Sequence, residues 1–286
     1  MPIITIARGS LWGGQAVADM IAQELGCPCI GREALMGEAL NLTSATGGPM
    51  EDPSQISALW DRLSWDRGTY LSALQAALAS HAVSGNLVYH GLAGHLLLRH
   101  IPRILRVRII APLEARIEIV ARKENVGREE AEAYIRKVDE EWRRWTRFVF
   151  DVDWHDPSLY DLVVNLEKLD VGGACATILE AVKRPEFEIT DEIREQIQDL
   201  ALASRVKLVL AMVPASMDMK LEVSAKRGEV MLKGQAPADL PPYVIARAEG
   251  FLAAVVGQTQ GVLSVAMDLS QSRDALAPEH PSKPVA

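Results

Sequence analysis

The stretch Gly9-Ser10-Leu11-Trp12-Gly13-Gly14 is the part of the chain best suited to hold a phosphate group. It follows a short apolar, β-branched run, Ile3-Ile4-Thr5-Ile6, and precedes a segment with Val17, Ile21 and Leu25 at four-residue spacing. That order predicts a buried strand, a tight loop and an amphipathic helix. A helix that starts straight after a glycine-rich loop offers free backbone N–H groups and the positive end of its dipole, which suits an anion. The predicted phosphate contacts are Arg8, Gly9, Ser10, Gly13, Gly14 and Gln15, mainly through the backbone. A G-x-x-x-x-G-K-[S/T] loop would next place a lysine and a hydroxyl side chain on the β/γ-phosphates and magnesium. Here Gly14, Gln15 and Ala16 occupy that stretch, so the loop geometry is expected without its usual side-chain chemistry. The competing reading is a tight strand-to-helix turn with no ligand, and Trp12 is placed either over a base or in plain packing.

Other reactive side chains carry less. His90, His95 and His100 repeat every five residues, but five residues turn a helix by about 500°, so the rings would not converge on a metal. Ser10 is not part of a G-x-S-x-G elbow, which excludes a serine nucleophile of that kind. Cys27-Pro-Cys29 has C-x-C rather than C-x-x-C spacing and reads as core filler, not as a redox or zinc motif.

Length and composition set the frame. With 286 residues, two domains are expected; 49% apolar and 24% charged residues describe a globular chain. The net charge of −8 argues against a general nucleic-acid-binding surface. Three cysteines make no disulfide framework. No run is long and apolar enough to span a bilayer. The N-terminus enters a strand with no signal-peptide pattern, so a cytoplasmic protein is expected.

Positioning the loop requires a sheet. Asn86 to Gly91 reads as a buried strand, and Leu105 to Ala111 as another that alternates apolar and basic residues before Pro112. Tyr160 to Asn165 reads as a last short one. Between them, Ser54 to Ser80 looks helical, with Leu71, Leu74, Ala77 and Leu78 on one face. A long helix carries Ala131, Tyr134, Ile135, Val138, Trp142 and Trp145, and Gly172 to Val182 closes the series. Strands alternating with helices predict an α/β fold, a mainly parallel sheet with helices on both faces. Gly47-Gly48-Pro49 and Glu51-Asp52-Pro53 mark an irregular stretch. After Lys183-Arg184-Pro185 the order becomes helix from Thr190, hairpin around Lys226-Arg227-Gly228, helix from Pro242 and strand through Leu269. That is a small α+β unit. The expected domains are residues 1–183 and 190–271, with a linker at 184–189 and a disordered tail from Ser272 to Ala286.

With these pieces in place, residues 1 to about 183 resemble the cytidylate kinase-like family of P-loop proteins. The matching words are Ile4-Thr5-Ile6-Ala7-Arg8, Gly13-Gly14 with Ala18, and Gly31-Arg32-Glu33. Further on come Ala111-Pro112-Leu113-Glu114-Ala115-Arg116, Ala131 through Asp139, Asp153-Trp154 and Tyr160 through Asn165. The resemblance implies ATP and magnesium as cofactors, transfer of the γ-phosphoryl group to a nucleotide-like acceptor, and an arginine-bearing lid. Arg116 fits the lid best, then Arg122, with Arg143 near the end of the long helix. A solvated mixed-charge face is the competing reading there, since Glu140 and Glu141 lie close by. Where a family arginine is expected after Asp139, Trp142 stands, with Arg143 adjacent. The Gly-Arg pair expected after Tyr89 is Gly91-Leu92, which leaves Arg32 and Arg62 as substitutes for acceptor recognition. Asp139 and Asp161 are candidate magnesium ligands by resemblance, and the metal ligand set stays open. Residues from about 190 to 271 look like a BON domain, which implies a lipid or protein partner. The missing lysine, hydroxyl and Gly-Arg pair keep an inactive nucleotide sensor and a nucleotide-free scaffold open beside the kinase.

Overall fold

The computed structural model describes residues 2–8, 13–42, 67–91, 93–213, 216, 219, 221–236 and 240–271. By contact the chain separates into two compact units, Met1–Ala201 and Leu202–Ala286. Arg62, Gly9, Ser10, Trp12, the Gly47 to Pro53 stretch, the first part of the Ser54–Ser80 helix and the tail from Ser272 lie outside the described residues.

The first unit is built on a sheet of strands β1 (Ile3–Arg8), β2 (Cys29–Gly31), β3 (Leu87–Gly91), β4 (Leu105–Ile110) and β5 (Leu162–Asn165). Their spatial order is β2-β3-β1-β4-β5, and every pairing is parallel. Parallel strands need crossovers, and helices supply them: α1 (Gly14–Leu25), α2 (Arg32–Leu42), α3 (Arg67–Ala82), α4 (Gly94–Leu97), α5 (Leu113–Glu124) and α6 (Arg128–Phe150). Two more, α7 (Val171–Val182) and α8 (Asp191–Ala211), follow the last strand. This is the expected α/β architecture of a P-loop nucleotide-kinase-like fold.

Alternation along the strands splits the sheet into two faces. Ile4, Ile6, Val88, Val107, Ile109 and Val164 pack with Val17 and Ile21 of α1 and Ile178 of α7. The chain runs from β1 out to β2 and β3 on one side, then crosses to β4 and β5 on the other. The carboxyl end of β1 is therefore the topological switch point, where open parallel sheets bind ligands.

Helices α2 and α5 go beyond what the sequence pattern announces. In α2 the buried Leu35, Met36, Ala39 and Leu40 are accompanied by an apolar Leu42 that is exposed, which blurs its stripe. In α5 only Ile117 and Val120 are buried, and charged residues interrupt the rest of the pattern.

The second unit contains β6 (Glu222–Lys226), β7 (Glu229–Ala236), α9 (Pro242–Gly257) and β8 (Ser264–Gln271). β6 and β7 form the expected antiparallel hairpin and β8 joins β7 in parallel. The turn needs positive φ at Arg227 (51°) and Gly228 (86°). Its core gathers Leu202, Val206, Val230, Leu232, Leu252 and Val256. Among the described residues no helix is long and apolar enough to cross a membrane.

Candidate phosphate-binding site

The start of α1 sits at the switch point. Gly13 caps it with φ 48°, among the described residues no side chain hydrogen-bonds to that cap, and the first turn carries no carboxylate. The positive end of the helix dipole is thus left uncompensated by its own first turn. Gly13 must be glycine here: its φ is positive and an added Cβ would stand 2.4 Å from Leu166 Cδ1. At Gly14 the added atom would stand 2.6 Å from Arg8 Cβ, so the loop and the end of β1 are in close contact. Gln15 and Ala16 are exposed or lie on that first turn without offering a cation or a hydroxyl.

Arg8 lies behind the turn. Its Nε donates to His90 Nδ1 at 3.2 Å, so the imidazole accepts there and carries its proton on Nε2. Burial, then the Arg8 charge, pushes the His90 pKa down to about 4. Burial, followed by the charge of Arg32, lowers the Arg8 pKa as well. Next to His90, Cys29 donates its thiol to Asp19 Oδ1 at 3.4 Å. Burial, with the Asp19 bond, lifts the Cys29 pKa to about 12. Donor atoms of Asp19, Cys29 and His90 lie within 4.8 Å of one another, but His90 Nδ1 is already engaged by Arg8.

Arg32 opens α2 and is buried, 9% exposed. Its guanidinium stacks 4.5 Å above the Trp142 ring and donates to Glu33 Oε1 at 2.5 Å. With Leu35, Tyr70, Tyr89, Trp142 and Trp145 it lines a small, mainly apolar cavity of about 20 Å³. Trp142, standing where an arginine was expected, thus covers the candidate acceptor residue instead of adding charge to it.

The lid arginines divide. Arg116 Nη1 and Nη2 donate to Asp139 Oδ2 and Oδ1, each at 2.7 Å. Asp139 therefore holds an arginine. Arg143 and Arg144 both pair with Glu140. Arg116, Arg143, Asp139, Asp153 and His155 line one open cleft of about 630 Å³. Arg122 is exposed on the last turn of α5 and is not among the residues lining that cleft. Asp161 takes a bidentate bond from Arg106 and precedes β5, at the amino end of the sheet, away from the turn at Gly13.

Sequence reasoning missed three participants: His90 as the acceptor of the Arg8 bond, Trp142 as the cover of Arg32, and Arg108. The last was visible only as a basic residue in the alternation of β4; it stacks between Trp154 and Tyr160, 4.8 and 5.7 Å from the ring centres.

Comparison with known proteins fits this geometry. The cytidylate kinase from Methanocaldococcus jannaschii is 34% identical over 104 residues, covering 35% of this chain and 58% of that protein. The cytidylate kinase from Methanothrix thermoacetophila is 31% identical over 108 residues, covering 37% and 60%. The match thus spans about three fifths of the length of these curated relatives. A crystal structure of an uncharacterized protein from Eubacterium ventriosum aligns over 64% of this chain and 98% of that one, with a TM-score of 0.51 and 20% identity, a likeness of fold. The model of the cytidylate kinase-like family matches residues 3–168, more than half of the 286 residues, and the chain belongs to that family.

Proposed function

We propose that the protein binds a nucleotide at the carboxyl end of β1, with phosphate on the turn at Gly13 and Gly14, and transfers phosphoryl groups weakly or not at all. The observation that carries this reading is the uncapped start of α1, set at the switch point with Arg8 behind it. Free N–H groups and a helix dipole make an anion seat without any side chain. Relatives named cytidylate kinases point to ATP as donor and a cytidine monophosphate-like acceptor as the ligand classes, with Arg32 on the acceptor side. Weak transfer follows from what surrounds the seat. Catalysis of phosphoryl transfer rests on positioning and positive charge. Gln15 and Ala16 replace the lysine and hydroxyl, and Arg116 has both arms on Asp139. Magnesium would need oxygen ligands beside the turn. Among the described residues Ala16 has none, Asp139 is engaged by Arg116, and Asp161 is at the far end of the sheet, so the ion is offered no seat by these residues.

The sensor reading is favoured by the second unit. Tyr243, Phe251 and Leu263 are 74%, 52% and 81% exposed there, apolar surface suited to the lipid or protein partner of a BON-like module.

Gln15→Glu tests the seat. A carboxylate at the helix start repels phosphate yet favours the helix dipole by about 0.3–1 kcal/mol. Calorimetry with ATP, ADP, CMP and CTP, with and without magnesium, should show weaker binding to a variant at least as heat-stable as the parent. Unchanged affinity would move the ligand elsewhere and favour the scaffold.

A further inference from the structure

Among the side-chain polar atoms of the first unit that are buried with no hydrogen-bond partner among the described residues are Thr5 Oγ1, His95 Nε2, Arg108 Nε and Trp154 Nε1. Thr5 and Arg108 alternate with the residues that face α1, so they belong to the opposite face of the sheet. Buried polar atoms are nearly always paired in folded proteins, with protein, ordered water or an ion, so a group of orphans calls for a partner.

Arg108 is the centre of this group. Its Nη1 donates to the Trp154 carbonyl at 3.2 Å, and Tyr160 OH donates to the same oxygen at 2.8 Å. The Tyr160 ring also packs against His95, centroids 4.7 Å apart. Aromatic residues thus hold the guanidinium in one place. Its neighbours Arg106 and Arg116 are each neutralised by a bidentate carboxylate, Asp161 and Asp139. Arg108 has no carboxylate within ion-pair distance among the described residues. Burial lowers its pKa, outweighing the carboxylates further off.

A cleft of about 210 Å³ opens over this cation at the carboxyl end of β4, lined by Arg108, Arg116, Asp139, Trp154 and His155. Of the charged residues that line it, Asp139 is matched by Arg116, which leaves the Arg108 guanidinium as the cation without a bound carboxylate. Trp154 is 3% exposed and its indole N–H only donates, as does a guanidinium. The complementary ligand is an ionised group that only accepts, and a rigid fork favours phosphate oxygens.

We propose that the cleft over Arg108 is a second anion site, which takes a phosphate group and is separate from the turn at Gly13. It makes use of none of the residues assigned to phosphate binding on α1. Ile109 and Arg8 are register partners across β4 and β1, so the two sites open at the same end of the sheet.

The test uses the full chain labelled with nitrogen-15 and titrated with inorganic phosphate, pyrophosphate or CMP. Trp154→Phe assigns the Trp154 indole signal, and the Gly14 and Gln15 amides report the turn in the same spectra. The indole signal should shift saturably, and Arg108→Met should abolish that shift while the Gly14 and Gln15 amides still respond to ATP. Arg108→Lys, which keeps the charge without the fork, should bind about tenfold more weakly, and it decides the matter if Arg108→Met does not fold. Saturation by inorganic phosphate would identify a free anion as sufficient; a response to CMP alone would assign the site to a phosphate ester. An indole signal that stays still at millimolar ligand, or moves equally in both Arg108 variants, overturns the proposal. A moving indole with silent Gly14 and Gln15 amides would leave it standing and remove the proposed nucleotide seat.

Discussion

Removing the Arg116 guanidinium separates a structural arginine from a phosphate-reading one. The pair with Asp139 joins α5 to α6 through two bonds of 2.7 Å, and the side chains are only 15% and 27% exposed. Exposed bridges contribute about 0.2–1 kcal/mol, whereas breaking a buried pair costs about 3–5 kcal/mol because one charge is left behind. A mostly sheltered, bidentate pair belongs between these limits, so Arg116→Ala should cost roughly 2 kcal/mol. For a unit of this size that lowers the melting temperature by about 4–8 °C. Asp139→Ala should cost a similar amount. The double variant should fall short of the sum by roughly 1–2 kcal/mol, the signature of two groups that act on each other. The assay is urea unfolding of the four proteins, with calorimetric titration of ATP and cytidine into each. Because Asp139 already occupies both arms, the ratio of ATP to cytidine affinity should change by no more than about threefold. Unchanged stability with a large selective loss of ATP affinity would refute this reasoning and make Arg116 a lid residue that reads phosphate.

His90 and His95 have pKa values held at about 4, below the ordinary 6.5, chiefly by burial. The unfolded chain therefore takes up protons first, and stability is complete above about pH 6.5 and falls toward pH 4, by up to roughly 3 kcal/mol per group. Urea midpoints should show that decline, and His90→Gln or His95→Gln should flatten it; an identical slope in both variants would remove the imidazoles as its source. Cys29, lifted to about 12 by burial and Asp19, should alkylate slowly at neutral pH, and Asp19→Asn should speed it. Mass spectrometry showing Cys29 modified as fast as a free thiol would contradict this. Truncation after Lys183 should destabilise the first unit, because it removes the buried Ile189, Ile193 and Ile197 and the Arg194 bonds to the Val83 and Ser84 carbonyls. Equal melting of chains ending at Lys183 and at Ala211 would instead support a division between Val182 and Thr190.

Much of the fold is legible because strand burial is a local signal. Ile3 to Ile6, Leu87 to Tyr89 and Leu162 to Val164 are short, mostly apolar runs, and turn residues or a change of pattern follow soon after each. The long helix α6 is equally clear, since Ala131, Ile135, Val138, Trp142 and Trp145 are all buried on one stripe. Helix α8 begins where Thr190 predicts, with Thr190 Oγ1 accepting from the Ile193 amide at 3.4 Å. What a local pattern does not carry is how far an element extends in service of each core. The same helix contributes Ile193 and Ile197 to the first unit and Leu202, Val206 and Leu210 to the core of the second. A change in the order of elements is a visible mark along the chain, but the boundary by contact, between Ala201 and Leu202, falls inside a continuous helix.

The site divides along a similar line. Backbone chemistry is readable: two adjacent glycines after a strand announce a helix start where side chains must be absent, and the contacts to Leu166 and Arg8 Cβ give the reason. Side-chain roles are not, because an arginine has the same sequence signature whether it meets a carboxylate or waits for a phosphate. Arg106, Arg108 and Arg116 lie within eleven positions, yet only the fold assigns Asp161 to the first and Asp139 to the last. These carboxylates are 55 and 23 positions away along the chain. Arg108 is left over by that pairing. The arginine that matched a family word is the one the structure ties down, and the one that matched nothing is held open between two aromatic rings. Charge that remains after the internal pairs are subtracted is what a ligand meets, and the two proposed sites draw on it through Arg8 and Arg108, on neighbouring strands at the end of the sheet where the chain reverses its course.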